Sequence, residues 1–263
     1  MSFIDCHVHV LPEGFEADVP PSVTGEFSDV TRILEQTGAD RVLLAPWVKL
    51  LGTPGLNEAM AELDSAVLGS ASSADELRDL MTGPFTGVEI TAGESPVPDF
   101  WTAAEETGAL VFIHPSTRGF AGPDEHYLWN TVGNPVETTV AAAHMVTSGV
   151  MERHPDLKVL LAHGGGAVTT LRGRLRHASQ HLAAAPDVDV EASLRRFYYD
   201  TITHDPTVLR ALVDFVGHER VLAGSDHPFD MADPDPAETV RASGVSLTAA
   251  AAILGGNAEV LLA

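Results

Sequence analysis

The chain has 263 residues, 44% of them hydrophobic and 20% charged, which suits a folded domain with a sizeable core and excludes a disordered polymer. Its 37 acidic residues against 15 basic ones give a formal charge of −22, so it repels nucleic acid and anionic membrane surfaces. No apolar run reaches the roughly 18 residues needed to span a bilayer, the N-terminus lacks a secretory pattern, and the single cysteine makes no internal disulfide; a reducing cytoplasm is the expected compartment.

In chain order, short apolar runs predict strands at 2–9, 41–44, 66–70, 85–91, 109–114, 158–163, 196–201 and 220–225. Most are continuously apolar, as parallel strands buried on both faces should be. Helices are predicted between them. Ser73-Ala74-Asp75-Glu76 has capping-box spacing ahead of an apolar-periodic stretch. Pro135 opens a predicted helix running to 153, with Pro155 beyond its end. Further helices are expected at 166–184, 206–216 and 246–254. Eight strands alternating with helices predict a single distorted (β/α)8 TIM barrel domain over 1–263, with a doubly wound open sheet as the alternative. Long loops are expected at 11–27 and 115–134; in a barrel both would lie over the C-terminal face.

The chain carries 12 histidines but only two lysines, Lys49 and Lys158. His7 and His9 end the first strand, and residues i and i+2 of a strand share a face. The fifth strand ends at His114, the sixth at His163 before Gly164-Gly165-Gly166, and the eighth at Asp226-His227. In a barrel all of these converge at the C-terminal face, which is the pattern of a metal centre rather than of scattered core histidines.

These positions resemble the amidohydrolase superfamily. Gly133-Asn134-Pro135-Val136-Glu137, Leu161-Ala162-His163-Gly164-Gly165-Gly166, Thr203-His204-Asp205-Pro206, Gly224-Ser225-Asp226-His227-Pro228-Phe229 and Gly256-Asn257-Ala258 are similar to the amidohydrolase-2 branch. Within it they most resemble the decarboxylases of 2-amino-3-carboxymuconate-6-semialdehyde and of aromatic acids. The resemblance implies His7, His9, His114 and Asp226 as ligands of one divalent metal, with Zn2+ expected from three imidazoles and a carboxylate. It implies His163 as the acid/base group, with Asp226 able to shuttle a proton, and no organic cofactor. The fourth strand carries Glu89 and no lysine, which argues for one metal rather than two.

Arg174 matches an arginine that relatives place in a neighbouring subunit's site, so a homodimer is expected; a plain helix-surface cation is the alternative. Arg118, Tyr127, Trp129 and His227 are candidates for substrate binding. The stretch after the second strand, Ala45-Pro46-Trp47-Val48-Lys49, lacks the arginine with which relatives hold a carboxylate, leaving Lys49 as a point charge. Gly164-Gly165-Gly166 is read as room for close backbone approach, Cys6 as core pointing away from the ligand face, Asp5 as support, and Glu137 as a helix-dipole residue. The expected activity is metal-dependent decarboxylation of a small aromatic or unsaturated carboxylic acid. A hydrolase or hydratase acting on a lactone, amide or C=C bond is the alternative, and a ligand-binding barrel without metal is the third reading.

Overall fold

A computed structural model describes residues 2–15, 29–93, 97–116, 125–183 and 187–262. Eight strands follow one another around a single parallel sheet: β1 (Ile4–Val10), β2 (Arg41–Pro46), β3 (Ala66–Gly69), β4 (Phe85–Thr91), β5 (Leu110–His114), β6 (Lys158–Leu161), β7 (Tyr198–Asp200) and β8 (Val221–Leu222). The ends of the sheet meet through backbone hydrogen bonds: Cys6 N–H to Ala223 O at 2.8 Å, Asp226 N–H to His7 O at 2.9 Å and His9 N–H to His227 O at 2.8 Å. Helices lie between the strands, so the architecture is the (β/α)8 barrel rather than the open sheet.

Two apolar layers hold it. Ile4, Cys6, Leu43, Leu68, Leu110, Phe112, Leu160 and Leu222 fill the barrel. Val88, Ile90, Val111, Ile113, Val159 and Leu161 point the other way and pack against helices through Phe100, Trp101, Met145 and Val146. This buried pair of faces is why the strands read as unbroken apolar runs.

β1 departs from simple alternation. Its pairing with β2 slips between Asp5 and Val8, so one extra residue enters β1 and the inward parity changes at Cys6–His7. Cys6 therefore joins the interior cluster, and the expectation that it points away from the histidine side is corrected.

The helix expected to run to 153 is two, Asn134–Thr147 and Val150–Arg153, separated by Gly149 at φ +73°. The predicted 166–184 helix is Val168–His181, because Gly166 has φ +61° and ψ −126°. The predicted 246–254 helix is Leu247–Ala251 with Ser246 as its cap, followed by a wide turn over Ala252–Gly256. Pro206–Val216 matches its predicted bounds. At the Ala74–Leu80 helix the Ser73 hydroxyl caps Glu76 N–H, but the Glu76 carboxylate takes the N–H and hydroxyl of Ser72 instead of closing the expected box. The helices Val30–Thr37, Leu56–Ala61, Pro98–Thr107, Val190–Leu194 and Pro236–Ala242 are additions to the sequence reading. Among the described residues no helix is long and apolar enough to cross a membrane.

Candidate metal centre

The bulge in β1 aims both His7 and His9 into the barrel mouth, where β5 brings His114, the turn after β6 brings His163, and the turn after β8 brings Asp226. His163 and Asp226 hold positive φ, 56° and 63°, a conformation unusual for residues other than glycine and typical of chain bent to aim a functional side chain. His7 is fully buried, and His9, His114 and Asp226 nearly so.

The distances are short. His7 Nε2 lies 3.1 Å from His9 Nε2 and 3.3 Å from Asp226 Oδ1. His9 Nε2 lies 3.4 Å from Asp226 Oδ1, and His163 Nε2 lies 3.2 Å from Asp226 Oδ2. The His114 ring centroid is 4.5 Å from that of His9, 5.2 Å from that of His7 and 5.4 Å from that of His163. One ligand atom each from His7, His114, His163 and Asp226 falls within 4.8 Å of all the others. Two ligands about 2.05 Å from a tetrahedral ion stand roughly 3.3 Å apart, so the spacing suits a divalent metal. Both ring nitrogens of His114, Nδ1 of His163 and Oδ1 of Asp226 are buried without a hydrogen bond. Such orphaned donors and acceptors are costly unless something binds them. The donor set fits a divalent metal site. The set whose ligand atoms all lie within 4.8 Å of one another includes His163 and not His9, whose Nε2 stands 3.1 Å from His7 Nε2 and 3.4 Å from Asp226 Oδ1.

Asp200 orients the group. Its Oδ2 accepts from His7 Nδ1 at 2.7 Å and from His163 N–H at 2.8 Å, while Oδ1 accepts from Gly164 N–H at 2.8 Å and Ile202 N–H at 3.0 Å. A carboxylate on the far nitrogen of a metal-binding imidazole fixes its tautomer and leaves the other nitrogen for the ion. Asp5 is also buried, and its Oδ1 accepts from His7 N–H at 3.2 Å and Ser225 N–H at 3.0 Å, tying β1 to the turn after β8. Glu89 of β4 is buried with Oε1 3.8 Å from His114 Nδ1. The sequence does not mark Asp200: nothing local identifies an aspartate as the partner of a histidine 193 residues away.

The electrostatics favour positive charge at this point. Burial opposes charge on His7, but Asp226 and Asp200 outweigh it and raise its pKa to about 10. Burial likewise opposes charge on Asp226, yet the charge on His7, the hydrogen bond from His163 and the close His7 and His9 rings hold its carboxyl well below the usual range. Burial and the charge on His7 lower His9; burial, with His9, His7 and His163 nearby, puts His114 well below the ordinary value. Burial pushes Asp5 up to about 6.

The other candidates are placed as follows. His227 is half-buried, its pKa lowered by burial, and its backbone carbonyl accepts from His9 N–H. Tyr127 and Trp129 meet edge to face, ring centroids 4.9 Å apart, and burial with Asp230 and Asp226 raises the Tyr127 pKa. Arg174 is exposed on the Val168–His181 helix. Arg118 lies outside the described residues. Lys49 is exposed, 5.9 Å from the Trp47 ring centroid, and Trp47 packs with Phe229 and His9 at 4.5 and 6.0 Å. Glu137 does more than face a helix dipole: its Oε2 accepts from the N–H and hydroxyl of Ser116 at 2.8 and 2.6 Å, tying the helix to the segment after β5.

A parallel barrel whose C-terminal mouth gathers four histidines and an aspartate is a (β/α)8 protein with a candidate divalent-metal site. The chain belongs to the amidohydrolase family, whose model matches residues 91–263. It is 35% identical over 160 residues to 2-amino-3-carboxymuconate-6-semialdehyde decarboxylase of Dictyostelium discoideum, a match covering 59% of this chain and 45% of that protein. The chain thus spans under half the length of the curated relatives it matches. Its fold superposes on the crystal structure of 5-carboxyvanillate decarboxylase from Sphingomonas paucimobilis with TM-score 0.83 and 22% identity, over 99% of this chain and 98% of that one. A dihydroxybenzoic acid decarboxylase from Polaromonas, solved with bound manganese and 2-nitroresorcinol, matches with TM-score 0.75 and 17% identity over 99% and 96% of the two chains.

Proposed function

We propose that the protein is a metal-dependent, non-oxidative decarboxylase of a small aromatic or unsaturated carboxylic acid, working without an organic cofactor. The observation that carries this is the convergence of His7, His9, His114, His163 and Asp226 within a few ångströms at the barrel mouth, in a chain whose curated relatives are decarboxylases. In this reading His7, His9, His114 and Asp226 hold one ion, Zn2+, since imidazole-rich four-ligand sites suit it. When bound, the ion supplies Lewis acidity that polarises an oxygen of the substrate.

The chain's own residues do the rest. Loss of carbon dioxide breaks a C–C bond and requires a proton on the carbon left behind. His163 is the group for that transfer, the most exposed of the clustered histidines, with Nε2 beside Asp226 Oδ2. Asp226, held anionic, stabilises the imidazolium before transfer and receives its hydrogen bond. Asp200 fixes the backbone of His163 and the ring of His7. Arg118, Tyr127, Trp129 and His227 contribute to substrate binding, and Arg174 reaches a partner's pocket in a homodimer. The protein works as one barrel domain in the cytoplasm.

The test is to incubate the metal-loaded protein with benzoate, hydroxybenzoate, muconate and pyrimidine carboxylates and follow carbon dioxide. Release from at least one is expected. Turnover of an uncharged lactone or amide, with no acid accepted, would move the protein to the hydrolase reading.

A further inference from the structure

The last turns of the Val168–His181 helix carry a pair of imidazoles that the barrel-mouth centre does not use. His177 and His181 are both exposed and stand four residues apart, so they are neighbours on one face of the helix. Their rings lie nearly parallel, with centroids 4.4 Å apart and planes 17° from one another. Two nitrogens about 2.05 Å from a tetrahedral ion stand roughly 3.3 Å apart. A small turn of two exposed side chains therefore brings one nitrogen of each to a shared ion. The same spacing is the one by which a helix presents two histidines to one metal.

Local chemistry prepares the pair for a cation. His181 Nδ1 lies 3.0 Å from the His177 carbonyl oxygen. A carbonyl only accepts, so Nδ1 carries the hydrogen and Nε2 keeps its lone pair for a metal. Both rings sit at the C-terminal end of their helix, where the backbone dipole is negative. Between them in sequence, Ser179 holds the helix end in place: its hydroxyl donates to Val188 O at 3.2 Å and accepts from Val188 N–H at 3.1 Å. The exposed Asp187 and Asp189 flank that valine and add negative potential. Against this stand two arginines. Arg176 is paired with the Glu191 carboxylate, and Arg174, one turn before His177, is exposed to solvent that screens it. Among the described residues no third His, Cys, Asp or Glu lies close enough to make a three-ligand group there, so water completes the coordination.

We propose that His177 and His181 form a second divalent-metal site on the helix surface, made of two imidazoles and water, which takes Cu2+ ahead of Ni2+ and Zn2+ and does not take Mg2+ or Ca2+. Imidazole suits the later transition metals, whose affinities peak at Cu2+, whereas the hard cations want oxygen. A chain in excess transition metal therefore takes up a further ion at a place remote from the barrel-mouth ligands. The test uses untagged protein already loaded with Zn2+, titrated calorimetrically with Cu2+, with bound zinc measured before and after. Uptake of one Cu2+ per chain with zinc retained is expected, and Mg2+ or Ca2+ should not compete. His177→Ala and His181→Ala each remove one of two linked donors and should weaken that uptake about tenfold or more, with zinc content unchanged. His144→Ala, which removes an exposed histidine of the Asn134–Thr147 helix, should leave it within about twofold. A last variant separates chelation from the number of imidazoles. Gly173 is exposed, and a Cβ there meets nothing within 4 Å. Gly173→His combined with His177→Ala keeps the histidine count but sets the two rings about 12 Å apart along the helix, and Cu2+ uptake should stay as weak as in His177→Ala. Wild-type uptake in both single variants, full uptake in the Gly173→His, His177→Ala chain, an equal loss in His144→Ala, or Cu2+ taken only in exchange for zinc would each overturn the site.

Discussion

His7 gives its Nδ1–H to Asp200 and sets Nε2 beside His9 and Asp226; the two carboxylates raise its pKa from 6.5 to about 10 against burial, and the second proton they favour occupies Nε2, the atom a metal would take. The sign follows from that direction. In the metal-free protein the stability gained from charged His7 is complete below pH 6.5 and is lost as pH rises through about 10. Metal binding must expel this proton, so affinity for Zn2+ should rise about tenfold per pH unit between pH 7 and 9, measurable by competition with a chelator of known affinity. A pH-independent affinity would mean that His7 carries no proton to displace. Asp200→Asn removes the carboxylate that orients His7 and should weaken metal binding about 10- to 100-fold in the same assay. His163→Ala should leave metal near stoichiometric while kcat falls about 10²-fold or more; loss of the metal would make His163 a ligand. At this scale the sequence was informative where side chains sit at or just beyond strand ends, as His9 and His114 do and Asp226 does in the turn after β8. It was silent on Asp200, whose role comes from contacts made across the fold.

Among the elements, β1 carries the point. The H-x-H spacing announces two histidines on one face, but the face is set by the extra residue between Asp5 and Val8. A bulge leaves no mark in an apolar string, which is why Cys6 was assigned to the wrong side. Gly164-Gly165-Gly166 was rightly read as backbone that needs glycine, and the structure gives the reason: all three have positive φ, and a Cβ on Gly166 would stand 2.1 Å from Pro135 O. Gly166→Ala should destabilise by about 3 kcal/mol or more, since strain and overpacking add, as read by urea unfolding. Ser73→Ala removes a cap remote from the centre and should cost about 1 kcal/mol with metal content unchanged. The Pro98–Thr107 helix could have been found, because Pro98 at its first turn and Gly108 at φ +69° past its end bracket it. The break at Gly149 was equally visible as a glycine between two helical stretches.

For the whole molecule, the strand–helix alternation was the strongest signal: it favoured the barrel over the open sheet and, for a barrel, gave the end at which the histidines meet, while closure itself lies in the β1–β8 hydrogen bonds. The −22 charge repels nucleic acid and anionic membranes at the surface; within the barrel, the buried anions Asp200 and Asp226 make the mouth a place for cations. The exposed Arg174 is the residue on which the homodimer proposal depends. Sedimentation should give a dimer, which would bury on the order of 1,200 Å² or more, and Arg174→Ala should raise KM more than it lowers kcat. A monomer with unchanged kinetics in that variant would remove the claim.

The central claim is that the clustered histidines and Asp226 work as one metal centre whose chemistry releases carbon dioxide. It is tested most directly by titrating metal-stripped protein with Zn2+ and following carbon dioxide release from the best acid of the panel. Release should be absent without metal, rise linearly, and level off at one ion per chain, with Asp226→Asn inactive throughout. Release that is indifferent to metal, or that persists in Asp226→Asn, would contradict the account.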